Sequence, residues 1–470
     1  MIFTTIKKWT WVACLATSPI LYTSCNKMLD IKPTDQVDEE DIFQSVSTVN
    51  RAVLGVYAGW APEYTLRIGS VMADECVIGP KNAGVNGDAQ LLYRWSYTGF
   101  DPAIAAPWTN GYQVINRANR ILAGLSKVPV QNDADNSAKQ QLEGELLAIR
   151  AFQHFELYRI YANSYLPEGL AVPYITITDN NNKPARPSTA EFMAKLQEDL
   201  DKAMTEISEG TDNTRMNKQT VYALKARIAL YTSHWSDALL FADKAIANAT
   251  LATRAEFPAI WTDKSNAEVI FKLKRTNQSS MRPGDIWKNA GLGIIYFAPS
   301  PQLLQAYDTQ NDVRAAAYFD HDPTLEEEGQ LADIITKYKG EDGATNRNDV
   351  KVFRIAEMYL IRAEAYAQLG NLAASIDQLN TLREARIQDY KRITFPDIRT
   401  INDAIATERW KELPFEGHRF FDLKRRRQPV VRETQAGQEI LSPEDIYYNI
   451  PIPQSEILSN PNIKPNNSGW

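Results

Sequence analysis

Apolar residues recur at intervals of three and four along several long stretches, which is the spacing of helices that pack one face against a core. The first stretch runs from Ile42 to Trp60, and its apolar face is formed by Phe43, Val46, Val49, Val53 and Val56. The same spacing predicts helices over residues 141–161, 189–207, 218–231 and 235–247. The pattern therefore predicts a mainly α-helical protein.

Small residues stand at regular places in these helices. Ala226, Ala238 and Ala245 occupy positions where a tetratricopeptide repeat keeps small side chains so that its helices approach closely. A second candidate unit repeats that order at Ala363, Tyr366, Gly370 and Ser375. We expect a degenerate repeat array over about 137–248 and 349–428, whereas unrelated helical hairpins are the alternative.

Two regions depart from the helical spacing and are predicted to be rich in loops. Residues of about 250–348 hold many Gly, Pro, Ser and Asn residues, and within them Val269, Phe271 and Leu273 alternate as in a strand over 267–275. Residues of about 62–110 carry aromatic side chains among glycines and prolines. Because long loops on a rigid scaffold often carry binding sites, we expect ligand contacts here.

A third pattern lies near the C-terminus, where charges and aromatic rings interleave over residues 408–426. Pro414 disfavours the helical conformation at the residue before it, and Gly417 permits a turn. Helical spacing then resumes, with Asp422 placed to pair with Arg419 or Arg426. The pattern predicts two short helices that meet at a buried corner.

This corner, ERWKELPFEGHRFFDLKRR, resembles the signature of the SusD/RagB family, the surface glycan-binding lipoproteins of Bacteroidota. The charged and glycine positions that carry the resemblance are Glu408, Arg409, Glu412, Glu416, Gly417, Arg419 and Asp422. Segments 353–366, 379–386 and 450–470 agree with other motifs of that family. The resemblance implies a SusD-like fold, which is mainly α: a degenerate tetratricopeptide-repeat helical scaffold with a loop-rich region carrying short strands.

The N-terminus is typical of a secreted lipoprotein. Lys7 and Lys8 precede an apolar stretch over 9–22 that is too short to span a bilayer, and Cys25 follows two small residues. The stretch resembles a lipoprotein signal cut before Cys25, which would be acylated, although an ordinary signal with an incidental cysteine is the alternative. We therefore predict a signal peptide over 1–24, a lipidated tether over 25–41 and a single body over 42–470.

Composition narrows the chemistry further. The 470 residues carry a net charge of −7, so nucleic acid is not an expected partner, and the basic run Lys424–Arg427 is interpreted as structural. If Cys14 is removed with the signal and Cys25 carries lipid, only Cys76 remains and no disulfide can form within one mature chain. Cys76 is interpreted as a small buried hydrophobic residue.

Candidate ligand contacts come from the two loop-rich regions. The axial hydrogens of a pyranose form an apolar face that can cover an aromatic ring, while polar side chains bind its hydroxyl groups. The candidates for stacking on a sugar ring are Trp95, Trp108, Trp287 and Tyr296. The candidates for binding its hydroxyl groups are Arg94 and Asn110. The corner at 408–426 is expected to stabilise the fold without contacting ligand.

The family resemblance implies a protein that is lipid-anchored to the outer membrane and faces the cell exterior. It would capture an oligosaccharide or polysaccharide and deliver it to a TonB-dependent, SusC-like transporter. A repeat scaffold that binds proteins or peptides is the main alternative. A glycoside hydrolase is the other, but no pair of carboxylates is singled out and the four histidines lack metal-ligand spacing. No enzyme activity, cofactor or metal is expected.

Overall fold

The computed structural model describes residues 39–84, 87–179, 181–341, 343–434 and 437–470. The predicted signal peptide and nearly all of the predicted tether, including Cys25, lie outside the described residues. The chain divides into two compact units, residues 1–42 and 43–470. The first contains the short helix α1 (Glu39–Ile42), and every other element described below belongs to the second.

Helices dominate the described residues, as the hydrophobic spacing predicts. After α1, their bounds are α2 (Val46–Gly59), α3 (Glu63–Val71), α4 (Gln90–Tyr93), α5 (Pro102–Gly124), α6 (Asp133–Tyr161), α7 (Thr189–Glu206), α8 (Lys218–Tyr231), α9 (Trp235–Ile246), α10 (Phe257–Trp261), α11 (Pro301–Gln305), α12 (Val313–Tyr318), α13 (Thr324–Glu327), α14 (Ile355–Gln368), α15 (Leu372–Glu384), α16 (Ile398–Glu412), α17 (Arg419–Arg425) and α18 (Gln454–Ser459). The mainly α prediction is confirmed.

Short antiparallel strands account for the rest of the regular structure. Their bounds are β1 (Cys76–Ile78), β2 (Val269–Leu273), β3 (Lys288–Asn289), β4 (Ile294–Ile295), β5 (Phe297–Pro299), β6 (Phe319–His321), β7 (Asp333–Ile335), β8 (Gly340–Glu341), β9 (Ala344–Thr345), β10 (Val350–Arg354), β11 (Val430–Thr434) and β12 (Gly437–Leu441). They pair only in twos, as β1–β5, β2–β10, β3–β4, β6–β7, β8–β9 and β11–β12. Most of these pairs lie within the predicted loop-rich region of 250–348 or join it to a neighbouring segment.

Helix pairs with small residues at their contacts form the scaffold. Helix α8 packs against α9, and α14 packs against α9, α15 and α16. Ala226, Ala238, Ala245 and Ala363 are fully buried, so the absence of larger side chains brings these helices together. Local signals set the helix starts, since Ser45 and Ser188 each form a capping box with the third residue of the helix that follows.

The loop prediction for residues 62–110 is wrong in part, because α3 and the start of α5 lie inside that range. One of the prolines that suggested loops stands where a helix accepts it. Pro102 occupies the first turn of α5, where a missing amide hydrogen costs nothing, and the Asp101 side chain caps that turn. Pro107 lies within α5, whose register continues through it.

The strand predicted around Val269 is confirmed, but its expected alternation is not. All five residues of β2 are buried, including Lys272, because β10 pairs with this strand and helix α8 packs on it. The Lys272 ammonium is accommodated by Asp349, whose carboxylate oxygen lies 2.8 Å from Nζ. Cys76 is fully buried as predicted, and burial raises the pKa of its thiol.

Candidate functional site

Helix α16 carries two carboxylates of the corner into a buried network of arginines. Arg314 donates to Glu408 at 2.7 Å and to Glu412 at 3.1 Å. Glu412 also accepts from Arg354 at 2.9 Å and from Arg386 at 3.1 Å, so three guanidinium groups surround one carboxylate. All of these side chains are almost completely buried. Charges are buried at this density only when each is paired and hydrogen-bonded.

The network continues beyond the helix to Glu416. The Arg354 guanidinium donates to both Glu416 oxygens, at 2.6 and 2.8 Å, and the Lys337 ammonium donates to one of them at 2.8 Å. Glu268 on the opposite side accepts from Arg354 at 2.6 Å and from Arg386 at 2.7 Å. The corner is thereby joined to the segments before β2 and β8.

Charge pairing controls the ionisation of these acids. Burial by itself raises the pKa of Glu408, but Arg314 and Arg383 outweigh it and lower the pKa to about 2. The pKa of Glu412 is lowered as well, because Arg386, Arg354 and Arg314 outweigh burial. Both groups are therefore ionised at neutral pH.

The two predicted corner helices are present as α16 and α17, although α16 has 15 residues and is not short, and Gly417 makes the turn between them. Its φ of +78° is a left-handed conformation that favours glycine. Gly69 of α3 lies opposite, and a Cβ added there would stand 2.6 Å from the Gly417 backbone. The corner is therefore packed directly on α3.

The pairing predicted for Asp422 is wrong. Its carboxylate accepts from Arg425 at 2.8 Å and from Arg409 at 3.0 Å, and not from Arg419 or Arg426. Arg419 instead makes a two-bond pair with Asp74, with both distances 2.8 Å. Arg425 is three residues from Asp422 on α17, so helical spacing allows that pair, but it could not reveal Asp74 or Arg409, which belong to other segments of the chain.

An open groove of about 1530 Å³ lies beside this corner. It combines apolar and aromatic side chains with polar ones, and it is bounded by β1, α11, α16, α17 and the β11–β12 hairpin. Its lining residues are Asp74, Val77, Ile78, Tyr93, Arg94, Trp95, Pro301, Gln302, Gln305, Leu331, Trp410, Arg419, Val431, Glu433, Thr434, Glu439 and Ile440. We refer to this feature as the groove.

Two of the predicted candidates, Arg94 and Trp95, lie in the groove. Trp95 is half-buried, and its indole nitrogen donates to the Met72 carbonyl at 3.0 Å. Its φ of +49° is a left-handed backbone conformation that is unusual for a bulky residue. Arg94 is exposed and donates to the Ala83 carbonyl at 2.9 Å, so its guanidinium stands at the groove surface.

Two other candidates, Trp108 and Asn110, are placed in structural roles by α5. Trp108 is 4% exposed, and its ring packs edge-on against Tyr161 with centroids 5.1 Å apart. The Asn110 side chain accepts from the Ala61 amide at 3.1 Å and donates to the Gly59 carbonyl at 2.9 Å. Neither residue lines the groove described above, and a contact of either with ligand stays a prediction.

The last two candidates do not line the groove. Trp287 is 2% exposed and packs against Phe415 of the corner, with ring centroids 5.0 Å apart. It forms part of a separate cavity of about 140 Å³. Tyr296 is half-buried, and its hydroxyl accepts from Asn289 at 2.8 Å. The region that holds them folds as short strands packed on the corner, which turns Trp287 inward.

The groove also contains residues that the sequence reasoning missed. Trp410 and Arg419 belong to the corner, and the guanidinium carbon of Arg419 lies 5.2 Å from the Trp410 ring centroid. The corner is therefore not wholly enclosed in the core, because these two side chains line the groove. The available signal was that Trp410 is flanked by charged residues, which places it at the edge of the packed face of α16.

Comparisons with known proteins agree on the fold over nearly the whole chain. A family model described as "SusD family" matches residues 274–470, and one described as "Starch-binding associating with outer membrane" matches residues 27–230. Two SusD-like proteins of Formosa agariphila are each 23% identical over 94% of this chain, and cover 95% and 96% of their own lengths.

Solved structures lead to the same fold. A SusD superfamily protein from Bacteroides thetaiotaomicron has a TM-score of 0.81 at 23% identity, covering 90% of this chain and 99% of its own. A SusD superfamily protein from Bacteroides vulgatus has a TM-score of 0.78 at 24% identity, covering 91% of this chain and 100% of its own. A structure described as a laminarin-binding SusD-like protein has a TM-score of 0.70 at 19% identity, covering 91% of this chain and 100% of its own.

Fold and site define the class of this molecule: a mainly α-helical scaffold of paired helices with an aromatic groove at its surface. The paired motifs, the two family models and the matching folds together identify the family. The chain belongs to the SusD family. No helix in the described part of the chain is long and apolar enough to cross a membrane.

Proposed function

We propose that this protein binds an oligosaccharide or polysaccharide in the groove and holds it without cleaving it. The observation that carries the proposal is the combination of Trp95 and Trp410 with amide, carboxylate and guanidinium groups in one open groove. Aromatic rings suit the apolar face of a pyranose, and the polar groups suit its hydroxyls. The family models and the laminarin-binding relative support the same class of ligand.

The dimensions of the groove favour a chain of sugars over a single one. Pockets for drug-sized ligands span about 300–1,000 Å³ and enclose most of the ligand, whereas this groove has about 1530 Å³ and is open to solvent. A buried ring contributes on the order of 1.5–3 kcal/mol, so two rings give only about millimolar to micromolar affinity. Several units of one polysaccharide would therefore have to engage several proteins at the cell surface.

The test is retardation on gels that contain polysaccharides, using the chain from Asn26 onward, which retains the whole compact unit of residues 43–470. We expect Trp95→Ala and Trp410→Ala each to weaken binding by about tenfold or more, because each removes one stacking ring. Phe100→Ala is the matched control. Phe100 is an aromatic residue that is 73% exposed but does not line the groove, so its loss should leave retardation unchanged.

A broad panel that leaves a folded sample unretarded would contradict the proposal. Equal weakening by Phe100→Ala would also contradict the location of the site. New reducing ends released from polysaccharide by the pure protein would instead support a hydrolase.

The cellular setting is part of the same proposal. Acylation at Cys25 would hold the protein on the exterior of the outer membrane, and a TonB-dependent, SusC-like transporter would receive the bound glycan. The family model described as associating with the outer membrane supports this location. We expect the full-length protein to co-purify with an outer-membrane transporter from mild detergent extracts. Purified protein that brings no such transporter with it would count against the partnership.

One observation favours the alternative of a peptide-binding scaffold. A second cavity of about 1060 Å³ lies at the ends of α8 and α9, and Tyr222, Gln219 and Lys244 contribute to its lining. Grooves between stacked helix pairs are the binding surfaces of repeat proteins. Binding of a partner protein in this cavity, together with no retardation by any polysaccharide of the panel, would support this function instead.

A further inference from the structure

A buried cation that forms no ion pair with a carboxylate of the described residues lies directly behind the groove. Arg432 is on β11, in the hairpin that forms one wall, and only 3% of it is exposed. Its guanidinium donates to the backbone carbonyls of Val71 at 2.7 Å, Ala73 at 2.7 Å and Tyr93 at 2.5 Å. A buried charge held only by carbonyl groups needs a further source of stabilisation.

Two aromatic rings supply that stabilisation. The guanidinium carbon of Arg432 lies 4.1 Å from the ring centroid of Tyr93 and 4.1 Å from that of Trp95. Distances below about 6 Å allow a cation to interact favourably with the electron-rich face of a ring, and desolvation strengthens the attraction. Arg432 therefore contacts the very ring that stands in the groove.

Trp95 is held by two further restraints. Its indole N–H is engaged by the Met72 carbonyl, and its backbone adopts a left-handed φ of +49°. Such a conformation is unfavourable for a bulky residue and persists only where the surroundings enforce it. Met72 immediately follows Val71, whose carbonyl accepts from Arg432, so one short segment anchors both groups.

We propose that Arg432 is a positioning residue that holds the Trp95 ring as a preorganised stacking platform for the ligand of the groove. The inference rests on the proposed function, since it concerns how the groove binds glycan. A side chain that is already ordered loses less conformational entropy on binding, so Arg432 raises affinity through Trp95 without itself touching the ligand. Lysine cannot replace Arg432, because an ammonium group lacks the planar fork that bonds three carbonyls while stacking on a ring.

The first measurement is a double-mutant cycle between Arg432→Lys and Trp95→Ala, with affinity-gel retardation as the readout. Immobilising one side chain corresponds to about threefold to tenfold in affinity, so Arg432→Lys should weaken binding by about that factor. In the Trp95→Ala background the same change should have almost no effect. Equal effects of Arg432→Lys in both backgrounds would overturn the proposal.

The second measurement observes the ring itself, by ¹⁹F NMR of protein labelled with 5-fluorotryptophan. The Trp95 resonance is assigned by its disappearance in Trp95→Phe. A single sharp line in the parent that broadens or splits in Arg432→Lys is the expected result. An unchanged line in Arg432→Lys would overturn the proposal. If Arg432→Lys does not fold, Arg432→Gln takes its place in this measurement, because it keeps donors for the carbonyls and removes the charge.

Arg186 provides a matched control elsewhere in the molecule. It is 7% exposed and donates to the carbonyls of Ala171 at 2.8 Å and Pro465 at 3.1 Å, but it does not line the groove. Arg186→Lys should lower stability without changing glycan affinity or the Trp95 resonance. If it changes both as Arg432→Lys does, the effect is one of general stability and the proposal fails.

Failure of the two proposals can be told apart. A parent protein that binds no glycan removes the proposed function and, with it, the role of Arg432 in binding. Glycan binding that Trp95→Ala weakens, combined with additive effects in the cycle, leaves the proposed function intact and removes only the role of Arg432.

Discussion

Individual residues near the corner show how strongly tertiary partners determine the role of a side chain. Asp422 and Arg419 are three positions apart on α17, yet they do not pair with each other, and each bonds a residue of another segment. Asp422 accepts from Nε of Arg409, whose two terminal nitrogens find no hydrogen-bond partner among the described residues. Burial raises the pKa of Asp422, but Arg409 and Arg425 outweigh it and lower the pKa. The carboxylate is therefore charged and required at neutral pH.

Asp422→Ala should destabilise the protein by about 3–5 kcal/mol, because it leaves a buried guanidinium group unpaired. Urea denaturation at pH 7 measures the change. Glycan affinity of the folded variant should remain that of the parent, since Asp422 does not line the groove.

The control for this change is Asp377→Ala. Asp377 also pairs with an arginine, Arg392, but the two side chains are 61% and 45% exposed. Exposed pairs contribute only about 0–1 kcal/mol, so this variant should be nearly as stable as the parent. Similar losses in both variants would contradict the assignment of Asp422 to a buried network.

At the scale of elements, α16 serves the fold and the groove from two faces. Glu408 and Glu412 are four residues apart and point together into the buried arginines. Trp410, between them in sequence, points to another side and lines the groove. The groove wall is consequently supported by the most heavily paired part of the core, which suits a rigid binding surface.

The network on α16 predicts a loss of stability in acid. The folded pKa of Glu408 is about 2, below its ordinary value of 4.5. Stability from its ionisation is therefore fully present above pH 4.5 and is lost as the pH falls through the folded pKa. Glu412 and Asp422 have pKa values lowered in the same direction. We expect the urea midpoint to fall steeply between about pH 4.5 and pH 2.

The variant Glu408→Gln measures how much of this acid-induced loss of stability comes from the Glu408 carboxylate. At pH 7 the variant should be less stable than the parent, because Arg314 and Arg383 lose a charged partner. Towards pH 2 the parent carboxylate is itself becoming neutral, so the two stability curves should converge. A difference that stays constant from pH 7 to pH 2 would show that ionisation of Glu408 is not the cause.

At the scale of the whole molecule, the proposed anchor is separate in the chain from the scaffold and from the groove. Helix pairs form the scaffold, segments from the beginning, the middle and the end of the body form the groove, and Cys25 precedes the compact unit that begins at Phe43. Changes at the proposed anchor should therefore alter location without altering the fold or the binding of glycan.

Cys25→Ala should release the protein from the membrane fraction of the native host, because acyl chains contribute roughly 0.8 kcal/mol for each buried methylene. Metabolic labelling with a fatty-acid analogue should mark the parent and not the variant. Cys76→Ala is the control, since Cys76 is fully buried in the body and should affect neither labelling nor location. Labelling that survives in Cys25→Ala would contradict acylation at this cysteine.

Much of the fold could be predicted from the sequence because helices depend on local spacing. Helix α8 matches its predicted bounds, and α7 and α9 each end one residue before theirs, since their caps and apolar faces lie within the same segment. Prolines misled the prediction around α5, because a proline at the first turn of a helix looks the same in sequence as one in a loop.

The site was less accessible to sequence reasoning. Of the six candidates, Arg94 and Trp95 lie in the groove, whereas Trp108 and Trp287 lie in the core. A tryptophan is amphipathic and suits either place, so composition cannot distinguish a platform from a core anchor. Trp410 was missed because the corner was interpreted as purely structural.

The sequence by itself determined the helical scaffold, the corner at 408–426 and the family, because periodicity and ordered motifs are properties of contiguous residues. Only the tertiary structure decided which charges pair, which rings are exposed and which segments meet at the groove. Asp74 and Arg419, or Trp95 and Arg432, are more than 300 positions apart in the chain and adjacent in space. Partnerships over such separations arise from packing, and local sequence carries no record of them.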